Sequence, residues 1–169
     1  MSKNKLEIIA EPGSFTIVTR RVVNAPASLV FEAFTKPEHI KRWMGPDALV
    51  YVVCDVDFRL GGAYRFVHRS PDGQEFAFRG TFREIERPTR IVRTFICDRM
   101  PEHEAVETLD LAERNGKTTI TTTTVHKTVE GRDGHIAGGR MEIGMTEGYA
   151  RLDTLLASLN GGTTNEASP

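Results

Sequence analysis

The chain has 169 residues, of which 27% are charged, and its formal net charge at pH 7 is −1. This length suits a single domain with a sizeable core, and the near-zero charge excludes a global field that would draw the protein to nucleic acid or an anionic membrane. No apolar run approaches the roughly 20 residues that span a bilayer, and the N-terminus lacks the apolar core of a signal peptide, so a cytoplasmic protein without membrane insertion is expected.

The sequence lacks the motifs that would indicate a cofactor or a metal. It contains no Walker loop, no GxGxxG and no GxSxG, and none of its five histidines lies in HExxH or at zinc-ligand spacing from a cysteine. The two cysteines, Cys54 and Cys97, lie in apolar strand-like runs and are predicted to be buried free thiols. We therefore expect no cofactor and no metal. Because no basic stripe is interleaved with aromatic residues, we also expect no nucleic-acid partner.

The first part of the chain predicts one strand followed by two short helices. Residues 14–23 are rich in β-branched side chains and predict a strand. A helix then runs from Pro26, where proline is tolerated, to Phe34. A second short helix covers residues 38–44 and is stopped by Gly45 and Pro46.

Six further strands follow, and turn signals separate them. The sequences Pro-Asp-Gly and Asn-Gly, each between two runs of strand character, are hairpin signals. The predicted strands cover residues 48–58, 63–69, 75–85, 90–97, 104–113 and 117–129. Successive strands joined by hairpins form an antiparallel sheet, and such a sheet has one dry face.

A long C-terminal helix is predicted over residues 133–159, where apolar residues recur at intervals of three and four. Glycines weaken its first half by about 1 kcal/mol each relative to alanine. It is the only predicted element large enough to cover the dry face of the sheet. We expect a flexible segment over residues 1–13, a single domain over 14–160 and a disordered tail over 161–169.

Four motifs, in this order, carry a resemblance to a known family. They are RVVNAPASLVFEAFTKPEHIKRWMGP, DVDFRLGGAYRF, PDGQEFAFRGTFREIERPTRIVRTF and GGRMEIGMTEGYARLDTLLASL. Over residues 14–160 the chain resembles the bacterial activator-of-Hsp90-ATPase-homologue-1-like proteins, which belong to the START or birch-pollen-allergen-like (SRPBCC) superfamily.

The resemblance implies an α+β helix-grip fold. In this fold a curved antiparallel sheet wraps around a long C-terminal helix, two short helices follow the first strand, and a cavity lies between sheet and helix. The helix pair ends near the mouth of the cavity, so Trp43, the only tryptophan, is a candidate wall or lid residue. The alternative is that Trp43 simply plugs the core.

The alternation of side chains along the strands predicts which aromatic residues face the cavity. Tyr64 and Phe66 share one face of their strand, and Phe78 and Phe82 share one face of the next, so all four are candidate ligand contacts. His68 has the same parity as Tyr64 but lies near a strand end, and so does His126. We expect both histidines to be exposed.

A polar group is predicted among the inward positions of the last two strands. Glu107 shares parity with Leu109, and Thr122 and Thr124 share parity with Ile120, where the resembled family commonly has apolar residues in place of the two threonines. A few polar groups in an apolar hollow are typical of small-ligand sites. Alternatively, a bulge reverses the parity and Glu107 is an ordinary surface residue.

The C-terminal helix offers three more candidate ligand contacts. Met141, Met145 and Tyr149 are spaced to face the sheet, and methionine adapts to irregular shapes. Plain core packing is the alternative for all three.

Three functions remain open from the sequence. The first is binding of a small hydrophobic or amphipathic ligand in the cavity. The second is an enzyme of the cyclase or hydratase type acting on an aromatic or polyketide-like substrate, with Glu107 as general acid or base beside Thr124 and His126. The third, suggested by the name of the resembled family, is contact with an Hsp90-type chaperone. We expect a monomer or a weak homodimer.

Overall fold

A computed structural model describes the backbone of residues 4–166 and the side chains of residues 4–161. It confirms the predicted helix-grip fold, with eight strands and four helices in the described part of the chain. The strands are β1 (Glu7–Ile9), β2 (Thr16–Val23), β3 (Val50–Val56), β4 (Ala63–Arg69), β5 (Glu75–Glu86), β6 (Arg90–Cys97), β7 (Ala105–Arg114) and β8 (Lys117–His126). The helices are α1 (Ala27–Thr35), α2 (Pro37–Trp43), α3 (Val129–Ile136) and α4 (Arg140–Glu166).

All eight strands form one antiparallel sheet in the order β1-β2-β8-β7-β6-β5-β4-β3. The strand pairs from β3 to β8 are hairpin neighbours in sequence, and β2 closes the other side of the sheet against β8. Side chains alternate between the two faces, as β2 illustrates, where Ile17, Thr19, Arg21 and Val23 are buried and the residues between them are not. The buried side of each strand faces α1, α2 and α4.

Helix α4 is fastened to the sheet and to the end of α2 by arginine contacts. Arg21 of β2 is only 7% exposed, and its guanidinium binds the Asp153 carboxylate at 2.6 Å. Arg151 donates to the backbone carbonyl of Trp43 at 3.0 Å and also pairs with the Asp47 carboxylate. Both contacts hold the C-terminal helix against elements that are more than 100 residues away in the sequence.

The structure differs from the expected domain limits at both ends. Strand β1 pairs with β2 and lies inside residues 1–13, which were expected to be flexible. The α4 backbone continues to Glu166, into the tail that was expected to be disordered from residue 161. Residues 1–3 and 167–169 of these two segments lie outside the described residues. Among the described residues, no helix is both long enough and apolar enough to cross a membrane.

The predicted helix over 133–159 is two helices separated by a kink. Helix α3 begins four residues earlier, where Thr128 caps it by accepting a hydrogen bond from the Gly131 amide at 2.9 Å. The chain breaks at Ala137–Gly139, where Gly138 has a φ of 72° that a helix does not allow. Because α3 thus folds back over the end of β8, this end of the sheet is covered.

The expectation that His68 and His126 are exposed is wrong, since each is only 6% exposed. His126 is covered by α3, and its Nε2 lies 3.0 Å from Nδ1 of His135 in a hydrogen bond. His68 is covered by the chain after α2, where its ring lies against Gly45. The position of a residue near a strand end did not reveal that another segment packs over it.

A pair of glycine substitutions on α4 tests how closely this helix approaches α2. At Gly148 a Cβ atom would lie 2.9 Å from the backbone oxygen of Trp43, whereas at Gly144 the nearest atom is Pro46 Cδ at 3.5 Å. We expect Gly148→Ala to lower the free energy of unfolding by about 1–3 kcal/mol through overpacking. The matched control Gly144→Ala should raise it by up to about 1 kcal/mol.

Urea unfolding followed by Trp43 fluorescence provides the measurement for both variants. Equal effects of the two substitutions would show that α4 does not approach α2 as closely as the structure has it.

Because His126 and His135 are buried as a pair, we expect the free energy of unfolding to fall in mild acid. Burial, followed by the charges of His135, His103 and Arg132, lowers the pKa of His126 from 6.5 to about 4, and burial also lowers the pKa of His135. The folded protein therefore takes up a proton less readily than the unfolded chain. This contribution to stability is fully present above pH 6.5 and declines as the pH falls toward 4.

His126→Gln, which is neutral at every pH and still forms hydrogen bonds, provides the comparison. The free energy of unfolding of the wild type should fall relative to that of the variant between pH 7 and pH 5. A difference that stays constant across this range would contradict the assigned titration.

Candidate functional site

An ion pair lies on the concave face of the sheet, on the side that faces the helices. Arg93 of β6 and Glu107 of β7 are direct cross-strand neighbours. The Arg93 Nε and Nη2 atoms lie 2.8 Å and 2.7 Å from Oε1 of Glu107. Their side chains are 16% and 21% exposed. The pair is therefore largely but not fully buried, and desolvation offsets part of its attraction.

Aromatic rings of β4 form the floor beneath the Arg93 guanidinium. Its central carbon lies 4.5 Å from the centroid of the Tyr64 ring and 5.9 Å from that of Phe66, so both contacts are within cation–π range. The Tyr64 hydroxyl donates to the Thr94 carbonyl at 2.6 Å, and burial raises the pKa of Tyr64 to about 12. Burial acts to lower the Arg93 pKa, but the Glu107 carboxylate together with Tyr64 and Tyr51 more than offsets this effect, so the Arg93 pKa is raised and the guanidinium stays cationic.

A small hollow lies between this ion pair and the aromatic side chains of α1 and β5. Its volume is about 20 Å³, which accommodates about one water molecule. Typical ligand pockets measure roughly 300–1,000 Å³, so this hollow is far smaller than the cavity that the resemblance implies. The lining residues are Phe34, Phe82, Ile91, Arg93, Glu107 and Leu109.

Strand parity correctly placed Glu107 and Phe82 on the concave face, and both line the hollow. Arg93, Phe34 and Ile91 were missed. A signal for Arg93 exists in the sequence, because it alternates with the apolar residues Ile91 and Phe95 and therefore faces inward with them. Whether any of these side chains contacts a ligand stays a prediction.

The two threonines of β8 occupy the expected face but differ in their surroundings. Thr124 is the direct cross-strand neighbour of Glu107 and is 5% exposed. The Thr122 hydroxyl forms a hydrogen bond with the hydroxyl of Thr19 on β2, so this group already has a partner. Of the two, Thr124 is the closer neighbour of the ion pair along the sheet.

Trp43 is buried rather than placed at an open mouth. Its indole N–H donates to the Ala33 carbonyl at 2.8 Å, and its ring contacts Phe34 with a centroid distance of 4.7 Å. On its other side it stacks against Tyr149 of α4 at 5.7 Å. Trp43 and Tyr149 therefore lie behind Phe34, the side chain of α1 that lines the hollow.

Three other candidate contacts lie away from the hollow. Phe78 stacks on Phe95, which in turn stacks on His135 at the end covered by α3. Met145 is partly buried against the core. Met141 lies in a separate groove of about 190 Å³ that Ile8, Ala10, Ile136, Gly139 and Glu142 also line.

Two residues of the acid–base hypothesis are already paired with other side chains. Glu107 is held by Arg93, and Nε2 of His126 is engaged with His135. In the part of the chain that the structure describes, no group of three or more His, Cys, Asp or Glu side chains is arranged to hold a metal ion.

Solved structures with the same fold come from several bacteria. A protein from Rhodobacter sphaeroides is 28% identical with a TM-score of 0.82, and the match covers 92% of this chain and 99% of the other. A protein from Chromobacterium violaceum is 27% identical with a TM-score of 0.72, covering 83% and 96%. A protein from Nitrosomonas europaea is 25% identical with a TM-score of 0.76, covering 87% and 97%.

Curated proteins give no significant match to this chain. The family described as "Activator of Hsp90 ATPase homolog 1-like protein" matches residues 24–157, from the turn before α1 to the buried half of α4. This range contains the ion pair, its aromatic floor and the helices that cover them. The chain belongs to the activator of Hsp90 ATPase homolog 1-like family.

Proposed function

We propose that this protein binds a small amphipathic molecule between its sheet and the helices that cover it, with the Arg93–Glu107 pair as the polar contact. The observation that carries the proposal is a buried ion pair beside an aromatic-lined hollow on the concave face. An apolar enclosure with a few fixed polar groups is the usual composition of a small-molecule site.

The ion pair offers a ligand both a hydrogen-bond acceptor, on Glu107, and hydrogen-bond donors, on Arg93. Both short contacts of Arg93 fall on Oε1 of Glu107, which leaves Oε2 to accept a hydrogen bond from a ligand hydroxyl or amine. The guanidinium carries five N–H donors, so it has others for a carbonyl, phenolate or carboxylate oxygen. Because the two side chains orient each other, these groups are positioned before the ligand arrives.

A buried pair of this kind is a weak source of stability, and this favours a functional role. Replacing a buried ion pair by apolar residues of similar volume is often neutral or stabilising. The apolar neighbours Ile91 and Leu109 already fill the same layer. A pair kept within such a layer is therefore better explained by recognition than by packing.

Binding requires the hollow to enlarge. At about 20 Å³ it admits about one water, so a ligand has to displace Phe34 of α1 or the side chains behind it. Phe34 packs on Trp43, and Trp43 packs on Tyr149, so a shift of α1 is transmitted toward α4. The structure described here is the closed form in this proposal.

The test is a titration of the protein, followed by two-dimensional amide NMR, with four probes. These are decanoate, quercetin, cholesterol sulfate and 2-naphthol. We expect at least one probe to give saturable shifts at Ile91, Arg93 and Glu107. Replacing the pair in the double variant Arg93→Met/Glu107→Leu should weaken binding at least tenfold, or about 1.4 kcal/mol. The change removes both charges together, so neither is left buried without its partner.

A matched control is the double variant Arg69→Met/Glu75→Leu. This pair also joins neighbouring strands, at 2.6 Å, but its side chains are about half exposed. Probe affinity should be unchanged in this control. A folded protein that gives no saturable shift with any of the four probes would contradict the proposal, as would equal weakening in both double variants.

A further inference from the structure

A second polar group lies on the inner side of the sheet, and its atoms have no partner. Nε2 of His68 on β4 and the hydroxyl of Tyr51 on β3 are both buried and have no hydrogen-bond partner among the described residues. Their rings are 4.1 Å apart between centroids. Buried polar atoms are normally hydrogen-bonded, so two such atoms side by side indicate that something outside the chain satisfies them.

His68 and Tyr51 lie next to the aromatic rings that contact the Arg93 guanidinium. Tyr64, Phe66 and His68 alternate along β4 on its buried face, and Arg93 lies over the first two rings. Because an antiparallel strand advances about 3.4 Å per residue, His68 lies about 7 Å beyond Phe66. Tyr51 contacts both Phe66, at a centroid distance of 6.0 Å, and His68. Tyr51 therefore connects the Phe66 ring beneath Arg93 to His68.

The Arg93 charge acts on the Tyr51 hydroxyl. Burial raises the pKa of the Tyr51 hydroxyl, the nearby Cys54 thiol raises it further, and the Arg93 charge opposes part of this rise. The Arg93 charge therefore affects the Tyr51 hydroxyl, and the Tyr51 ring contacts the His68 ring. This makes Tyr51 the link between the two polar groups.

The hydrogen bonding of His68 fixes the role of its free nitrogen. The ring bonds to the backbone of Met44, a contact that raises the His68 pKa, whereas burial lowers it by more. His68 is thus neutral, and because Nε2 has no partner, the Met44 bond belongs to Nδ1 as donor. In that tautomer Nε2 is an acceptor. A group that binds there has to supply an O–H or N–H.

A short segment after α2 covers His68 and would have to be displaced by a ligand. Gly45 lies against the imidazole, since a Cβ atom at this glycine would be 3.1 Å from Nε2, and its φ of 106° is one that glycine readily adopts. Arg151 of α4 holds this segment through the carbonyls of Trp43 and Gly45. Displacement of Gly45 would uncover Nε2 of His68.

We propose that the ligand is an aromatic compound with a polar group at each end. One group meets Arg93 and Glu107, and the other is a hydroxyl or N–H that donates to Nε2 of His68 beside Tyr51. This inference rests on the proposed function and specifies the class of molecule for the same interior. A ligand with one polar head and an apolar tail leaves the His68 and Tyr51 atoms unsatisfied.

A pair of probes tests the inference. 2-Naphthol and 2,6-dihydroxynaphthalene share one ring system and differ by a second hydroxyl at the far end. We expect the diol to bind wild-type protein about tenfold more tightly than 2-naphthol in NMR or calorimetric titrations. His68→Phe should remove this advantage while leaving the affinity for 2-naphthol within about twofold. Tyr51→Phe removes only a hydroxyl and should reduce the advantage of the diol. This variant provides the test if His68→Phe does not fold.

The outcomes separate this inference from the proposed function. If 2-naphthol gives shifts at Arg93 and Glu107 but the diol binds no more tightly, the ligand is not bifunctional and the proposed function stands. If the advantage of the diol survives in both variants, its second hydroxyl does not meet His68 or Tyr51, so this inference is wrong and the proposed function stands. If neither naphthalene probe nor quercetin binds but decanoate or cholesterol sulfate does, the aromatic class is wrong and the proposed function stands.

Discussion

The concave face of the sheet has to be covered by α4, and the rest of the structure depends on this constraint. Eight antiparallel strands bury one side of their alternating residues, and no hairpin is long enough to cover that side. Helix α4 reaches it because Gly148 allows close approach to the Trp43 carbonyl and because Asp153 pairs with the buried Arg21 of β2. The segment after α2 is then held between α4 and His68.

The enclosed space is largely filled, but its chemistry is not that of an ordinary core. Aromatic rings from α1, β4 and β5 surround the Arg93–Glu107 pair, and unpartnered atoms of Tyr51 and His68 lie further along the same row. Apolar side chains of similar size would fill this space without desolvation of charge. The arrangement is easier to understand if the closed form is one state of the protein and a ligand completes the hydrogen bonds in another.

Pattern reasoning was successful where burial follows directly from the period of a strand. Glu107 was placed on the inner face because it alternates with Leu109 and Leu111, and the same rule applied to β6 would have found Arg93. It failed for His68 and His126, because a position near a strand end says nothing about a segment that folds over it. Trp43 was recognised as unusual, but the choice between cavity wall and core required its contacts with Ala33, Phe34 and Tyr149.

The sequence by itself determined the antiparallel sheet and the inward side of several strands, because local turn signals and two-residue alternation specify these features. Its four motifs indicated the helix-grip fold through their resemblance to a known family. Only the tertiary structure decided that Arg93 and Glu107 form a pair, that α3 separates from α4 at Gly138 and covers His126, and that the interior is nearly closed. These features depend on the register between strands and on how closely helices pack against the sheet. Both arise from contacts between residues far apart in the chain, which no local pattern encodes.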